Sequence, residues 1–203
     1  DGSLAKGMIQ VWAAGNTSSV IRSPNLSPIA GIYATLPRYM PELEQYWLSV
    51  VNVGETGNAA NPYVLSNRSM KCGLSMNWCV AAPGSVITST VDGGEALIDD
   101  LVEDENGNYL IPGIADIVSR FGYEDYSGTS MAAPHVTGAL ALLFQRYPYL
   151  SNPQVRDILL TTATDLGAAG VDDIYGWGLI NLKKAIEGYG QFRVDTNVVM
   201  NQQ

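Results

Sequence analysis

The sequence predicts an α/β fold in which helices flank a mostly parallel sheet. Two continuous apolar segments, residues 7–14 and 47–53, have the length and residue types of strands buried on both faces, as in parallel sheets. Residues 130–147 are almost entirely apolar or small, which predicts a long buried helix. Strands that alternate with helices along one chain imply this fold class.

The predicted strands occupy the first half of the chain. The first strand ends at Gly15-Asn16, and residues 17–46, rich in Ser, Pro and Asn, are expected to form surface loops. Beyond the second strand, residues 78–81 and 86–91 predict two short strands that are hinged at Ala82-Pro83-Gly84.

An acidic stretch, D-D-L-V-E-D-E-N-G at residues 99–107, contains the Asn106-Gly107 pair between apolar residues, which predicts a β-hairpin. A calcium loop is the alternative, although the EF-hand spacing of acidic residues before the glycine is not met. The sequence therefore predicts no metal site and no cofactor, with calcium left open as the alternative.

Three helices are predicted in the second half. The first, residues 130–147, is apolar all round and is expected to be buried on every side, and it stops before Pro148. Ser151-Asn152-Pro153 predicts the start of the second helix, which carries Val155, Ile158 and Leu159 on one face. The third, residues 182–187, follows Asn181 as its cap and ends near Gly188.

Composition bounds the domain organisation and the partners. The chain has 203 residues, of which 46% are hydrophobic and 15% charged, as in a folded protein of one large domain. We predict one folded domain over residues 1–190 and a polar linker or tail over 191–203. The formal charge of −9 argues against nucleic acid as a partner. The first residues lack leader features and run directly into a strand, which suggests that the chain begins inside a fold.

The two cysteines, Cys72 and Cys79, are separated by six residues in a turn-rich segment. This spacing suits a small disulfide loop and an oxidising compartment, and a C-x-x-C redox or zinc pattern is absent. Two unrelated buried thiols are the alternative.

A candidate nucleophile, Ser130, lies at the predicted N-terminus of the long helix, behind Gly128-Thr129. Unpaired backbone N–H groups face outward there, and that of Ser130 can serve as an oxyanion donor. An ordinary N-cap serine is the alternative. A serine hydroxyl also needs a general base within hydrogen-bond reach.

His135, the chain's one histidine, is five residues after Ser130. Five helical residues rotate about 500°, which is about 140° off the starting face, so the two side chains do not meet. We predict that His135 is a core histidine, packed beside Gly138 and hydrogen-bonded to the backbone.

Residue order decides between the known arrangements of a catalytic serine. An α/β-hydrolase needs a histidine later than the serine, and only His135, which faces away from Ser130, follows it, so this arrangement is excluded. A serine–lysine dyad of the S-x-x-K type is absent around Ser130. The order Asp, His, Ser places the serine last. It requires the first two members to lie upstream of Asp1.

Four motifs carry a resemblance to the subtilisin-like serine proteases. G-T-S-M-A-A-P-H-V at 128–136 is similar to the nucleophile signature of that family, and V-W-A-A-G-N at 11–16 resembles its oxyanion segment. A-A-P-G at 81–84 and Y-G-W-G-L-I-N at 175–181 resemble two further shared segments, in the family's order. The run from Cys72 to Gly84 is similar, more narrowly, to the passenger domains of autotransporter subtilases of Gram-negative bacteria.

The resemblance implies a subtilisin-like fold and a secreted serine endopeptidase, extracellular or at the cell surface, that hydrolyses a peptide or protein substrate. It assigns the nucleophile to Ser130 and the oxyanion donor to Asn16. It also implies that Ala13, Ala14 and Gly15 form one wall of the pocket for the residue before the scissile bond.

The sequence also departs from the family pattern. The aspartate and H-G-T-H histidine segments are absent, as is the strand that forms the other wall of the pocket. We therefore expect a domain that is incomplete on its N-terminal side, is inactive alone and has an N-terminal fragment of the same domain as partner. An inactive subtilase-fold module for structure or interaction is the alternative. A sedolisin-type protease is a further alternative, but that class has an aspartate in the oxyanion hole, where this sequence has Asn16.

Overall fold

The computed structural model of the chain describes residues 7–17, 30–91, 102–103, 109–110 and 122–193. It divides into two compact units. Unit 1 combines residues 1–85 with 127–203, and unit 2 consists of residues 86–126.

The sheet of unit 1 is built around one long central strand. Strand β2 (Trp47–Glu55) pairs in parallel with β1 (Gln10–Ala13) on one edge and with β4 (Cys79–Pro83) on the other, and β3 (Tyr63–Leu65) pairs antiparallel with its end. Residues 47–53 are buried throughout, as expected for a parallel strand covered on both faces. The α/β class and these three parallel strands are confirmed, whereas β3 was not predicted.

Alternate residues of β2 enter two separate apolar clusters. Leu48 and Val50 pack with the helices, while Val51 and Val53 pack with Ala14 and the disulfide cysteines on the other face. This follows from the two-residue period of a strand, which sends successive side chains to opposite faces.

The expectation of surface loops over residues 17–46 is wrong for much of the described part. Two 3-10 helices, Leu36–Arg38 and Pro41–Tyr46, lie there. Ala30 and Ala34 are buried in the second cluster. The indole N–H of Trp78 donates to the Ala34 carbonyl at 2.8 Å, so a distant aromatic residue holds this segment against the sheet.

The described part of the second half contains three helices, as predicted: α1 (Thr129–Arg146), α2 (Asn152–Thr161) and α3 (Leu182–Glu187). The backbone N–H of Ser151 donates to Gln154 Oε1 at 2.9 Å in a capping box at the start of α2. Asn181 caps α3 by accepting from the Lys184 N–H, and Gly188 ends it in the left-handed conformation.

Helix α1 is not buried on every side. One face packs on the sheet, through Thr129, Ala132, Val136, Ala139, Leu140 and Leu143. The opposite face is exposed in the described part of the chain, where Leu142 retains 47% of its accessible surface. The apolar composition of a helix does not state how many neighbours will cover it.

In its described residues, unit 2 contains two short antiparallel pairs. Strand β5 (Ile87–Val91) pairs with β8 (Gly122–Tyr126), and β6 (Val102–Glu103) pairs with β7 (Tyr109–Leu110) in the register Val102↔Leu110. The second pair agrees with the predicted hairpin, although Asn106-Gly107 itself lies outside the described residues.

Cys72 and Cys79 form a disulfide with a Cα–Cα distance of 5.8 Å, as predicted, and both residues are fully buried. The bridge encloses a 3-10 helix, Gly73–Trp78, and Cys79 is the first residue of β4. Within the described ranges, no helix is both long and apolar enough to cross a bilayer.

Candidate active site

The predicted site residues of unit 1 meet at the carboxyl edge of its parallel strands. Asn16 follows the end of β1, and Gly84 follows the end of β4. The Gly128 N–H donates to the Gly84 carbonyl at 2.8 Å, which places the start of α1 at the same edge. Open α/β sheets commonly bind their ligands at this edge.

Ser130 is the second residue of α1, in its first turn, and is exposed. Neither its N–H nor its hydroxyl makes a hydrogen bond to another described residue. The N-terminus of a helix presents unpaired N–H groups and a partial positive charge. A negative charge that develops beside Ser130 is therefore favoured.

Asn16 is oriented by the residue that precedes Ser130. The backbone N–H of Thr129 donates to Asn16 Oδ1 at 3.0 Å, and the Thr129 hydroxyl donates to the same oxygen at 3.2 Å. Because a backbone N–H can only donate, the atom facing it must be the amide oxygen. The Nδ2 group is thereby left as a donor, and it has no partner among the described residues.

Thr129 is a site residue that the sequence did not single out. It is fully buried, and its hydroxyl accepts from the Gly15 N–H at 3.2 Å while donating to Asn16. One side chain thus connects Gly15 and Asn16 to the first turn of α1. The two partners are more than 110 residues away along the chain, so no local pattern could have indicated the contact.

A second segment supports Asn16 from the other side. The Met70 N–H donates to the Gly15 carbonyl at 2.9 Å, the Thr17 N–H donates to the Arg68 carbonyl at 2.7 Å, and Asn16 forms a β-bridge with Ser69. Gly15 has a φ of +113°, and a side chain there would meet Met70 Sδ at 2.8 Å. Only glycine satisfies both conditions.

Ala13, Ala14 and Gly15 lie in one extended run that leads to Asn16. Ala14 is fully buried, while Ala13 and Gly15 are partly exposed. The Ala14 carbonyl accepts from the Gly31 N–H at 2.8 Å. The role of these residues as a pocket wall stays a prediction.

His135 is exposed, so the prediction of a core histidine is wrong. Its place on the uncovered face of α1 explains the exposure. Its Nδ1 lies 2.9 Å from the carbonyl oxygen of Met131, which agrees with the expected backbone hydrogen bond. The ring is bonded to its own helix and is not paired with Ser130.

No group of three or more His, Cys, Asp or Glu side chains that could hold a metal occurs within the described ranges. Most of the acidic stretch, residues 99–101 and 104–107, lies outside those ranges. The calcium alternative therefore stays a sequence-based hypothesis.

The fold and this site define an α/β protein that presents a helix-terminal serine beside a fixed amide donor. The profile of the subtilase family matches residues 1–178. The chain belongs to the subtilase family.

Relatives share this segment at moderate identity. The chain is 41% identical over 194 residues to serotype-specific antigen 1 of Mannheimia haemolytica and 39% identical over 186 residues to an extracellular serine protease of Serratia marcescens. It is 31% identical over 204 residues to the Neisserial autotransporter lipoprotein NalP of Neisseria meningitidis. These alignments cover 92–95% of the chain and 16–17% of the relatives' lengths.

Solved structures confirm a subtilisin-like fold. Fervidolysin from Fervidobacterium pennivorans, a keratinolytic enzyme related to subtilisin, superposes with a TM-score of 0.56 at 30% identity, covering 90% of this chain and 23% of that one. MycP1 from the ESX-1 type VII secretion system gives a TM-score of 0.53 at 29% identity, with coverage of 95% and 44%.

Proposed function

We propose that this chain is the part of a secreted subtilisin-like endopeptidase that bears the nucleophile and the oxyanion donors. The observation that carries the proposal is the bond between Thr129 N–H and Asn16 Oδ1 at 3.0 Å. It fixes the Asn16 amide against the residue that precedes Ser130, and neither Asn16 Nδ2 nor the Ser130 N–H has a partner among the described residues. Two such donors beside a serine are the arrangement that acyl transfer requires.

In the proposed reaction the Ser130 hydroxyl attacks the peptide carbonyl and forms a C–O bond. A histidine takes the hydroxyl proton, and Asn16 Nδ2 together with the Ser130 N–H donates to the oxyanion. The C–N bond then breaks, the histidine protonates the leaving amine, and water hydrolyses the acyl-enzyme by the same steps.

The base must come from another segment. The chain has one histidine, and His135 is bonded to Met131 on its own helix. We assign the histidine, and the aspartate that orients it, to an upstream segment of the same domain, which is the partner of this chain. Residues 1–190 belong to the catalytic domain in this proposal, and 191–203 to a tail.

Two observations support an extracellular location. Relatives from Serratia and Neisseria are named as an extracellular serine protease and an autotransporter lipoprotein. The disulfide between Cys72 and Cys79 suits an oxidising compartment. The proposed substrate is a peptide or protein chain outside the cytoplasm.

The proposal is tested by labelling with a fluorophosphonate probe, which reacts with activated serines. We expect labelling of Ser130 when the chain is combined with the upstream segment, and none of the chain alone or of the assembled Ser130→Ala variant. Absence of labelling in a folded assembly would favour an inactive module. Strong labelling of the chain alone would contradict an external base.

A further inference from the structure

We propose that Asn52 is a positioning residue for the turn at Gly128–Ser130, where α1 begins. This inference rests on the proposed role of Ser130. Asn52 lies on the central strand β2, and no motif of the sequence indicated it. Three observations carry the inference: an unpaired buried amide, its contact with Gly84, and the bond from Gly84 to Gly128.

The first observation is the burial of a polar group without its full set of partners. Asn52 is 1% exposed and lies between Val51 and Val53 on the strand. Its Oδ1 accepts from the Ser85 hydroxyl at 3.2 Å. Its Nδ2 is buried and has no hydrogen-bond partner among the described residues.

Such a group opposes stability, because desolvation of the amide N–H is not compensated by a bond in the folded state. Valine fills the neighbouring positions of this strand without that cost. Departures from the rule that buried polar groups are paired are expected at functional sites.

The second observation places the Asn52 amide directly against the turn that leads to Ser130. A Cβ atom on Gly84 would lie 2.8 Å from Asn52 Oδ1, 2.6 Å from the Gly128 carbonyl oxygen and 2.9 Å from the Ala132 side chain. The amide, Gly84 and the first turn of α1 are therefore in close contact.

The third observation is a pair of hydrogen bonds that links Gly84 to Asn16 through the start of α1. The Gly128 N–H donates to the Gly84 carbonyl at 2.8 Å, and the next N–H, that of Thr129, holds Asn16. A change in the volume or polarity at position 52 therefore shifts Gly84 and Gly128. That shift misaligns the two N–H donors that the oxyanion needs.

The test compares Asn52→Val with a matched control, Ser49→Ala. Ser49 lies three residues earlier on β2, where its hydroxyl is also buried and unpaired within the described part of the chain. It pairs in register with Trp12 and Cys79. Both substitutions remove an unpaired buried polar group, and only the first alters the contact with Gly84.

In the protease assembled with its upstream segment, we expect Asn52→Val to lower kcat and the rate of Ser130 labelling by about 10- to 100-fold, because small misplacements of a reacting group have effects of this size. We expect KM to change little and Tm to stay equal or rise. Amide hydrogen exchange at Gly128 and Thr129 should accelerate. Ser49→Ala should change neither kcat nor this exchange.

Ser85→Ala provides a second variant that leaves the core volume unchanged. It removes the donor to Asn52 Oδ1 and should lower the labelling rate in the same direction by a smaller factor. This variant decides the question if Asn52→Val does not fold.

The inference is overturned if both variants leave exchange at Gly128 and Thr129 and the labelling rate per folded molecule unchanged. The exchange measurement needs no activity. If the unmodified assembly is not labelled, the proposed function fails, and the exchange data still show whether Asn52 positions this turn.

Discussion

The orientation of the Asn16 side-chain amide decides whether the site can offer a hydrogen-bond donor beside α1. Asn16 Oδ1 accepts two hydrogen bonds from Thr129, so its Nδ2 remains a donor without a partner among the described residues. A preorganised donor of this kind needs no reorganisation when charge develops on the substrate oxygen. At the residue scale, the proposed reaction at Ser130 therefore depends on Thr129 as well as on Asn16.

Replacing Asn16 with Leu should remove one oxyanion donor while keeping a side chain of similar size. We expect kcat of the assembled protease to fall by about 10²–10³-fold, a magnitude measured on subtilisin itself and carried over to this chain. KM should change little, because the donor acts mainly in the transition state. Steady-state kinetics on a peptide substrate provides the measurement.

The control for this variant is Asn67→Leu, at an exposed asparagine on a neighbouring segment. It should leave kcat within about twofold, since surface substitutions away from special features have small effects. A loss of less than about fivefold in Asn16→Leu would contradict the assignment of Asn16 as an oxyanion donor.

The sequence indicated Ser130 and Asn16 as candidate site residues and gave no sign of Thr129 or of Asn52, the proposed positioning residue. The first two lie in continuous motifs, whereas the last two are distinguished by contacts between distant parts of the chain. Asn52, for example, meets Ser85 across 33 residues and appears in sequence as one more strand residue among valines. Burial without a partner is visible only after folding.

At the scale of elements, local chemistry predicted the helices better than the irregular segments. Helix α3 has the predicted bounds, because Asn181 and Gly188 are strong start and stop residues. Strand β3 and the 3-10 helices are short, so they leave no repeated apolar pattern. How many sides of α1 are covered depends on tertiary contacts, which its composition does not encode.

At the scale of elements, the disulfide holds the first residue of β4, Cys79, in place. The bridge closes a loop around the 3-10 helix Gly73–Trp78. The backbone N–H of Trp177 donates to the Cys79 carbonyl at 2.9 Å, and the backbone N–H of Cys72 donates to the Ile174 carbonyl at 3.2 Å. The loop thereby anchors the turn that precedes α3.

Replacing both Cys72 and Cys79 with Ala should lower the free energy of unfolding by about 2.5 kcal/mol from loop entropy, together with a smaller packing loss. Urea unfolding followed by circular dichroism measures the change. The single variants are less informative because each leaves a free thiol. A loss below about 0.5 kcal/mol would show that the loop is already ordered in the unfolded chain.

At the scale of the whole of unit 1, a buried arginine joins its distant parts. Arg156 on α2 is 2% exposed, and its Nε donates to the Trp47 carbonyl at the start of β2 at 2.8 Å. Its guanidinium contacts Asp157 at 3.2 Å and lies 3.9 Å from Glu44. Glu44 also binds Arg193 at 2.9 Å, near the end of the described chain.

Burial lowers the pKa of Arg156 to about 10, with a further lowering by the charge of Arg193, while Asp157 and Glu44 act in the opposite direction. A lowered pKa means that the folded state holds this proton less tightly than the unfolded state. The resulting cost is present at neutral pH and is relieved only as the pH rises above about 10. The acidic partners Asp157 and Glu44 therefore offset part of the cost of burying Arg156.

Replacing Glu44 with Gln should destabilise the folded state, because it leaves the guanidinium groups of Arg156 and Arg193 with one neighbouring carboxylate, that of Asp157. We expect the free energy of unfolding to fall by about 1–2 kcal/mol, less than for a fully buried ion pair because Glu44 is partly exposed. Glu42→Gln is the matched control: Glu42 lies on the same 3-10 helix and is exposed, so this change should have almost no effect. Chemical unfolding measures both, and equal losses would show that the effect comes from net charge and not from Arg156.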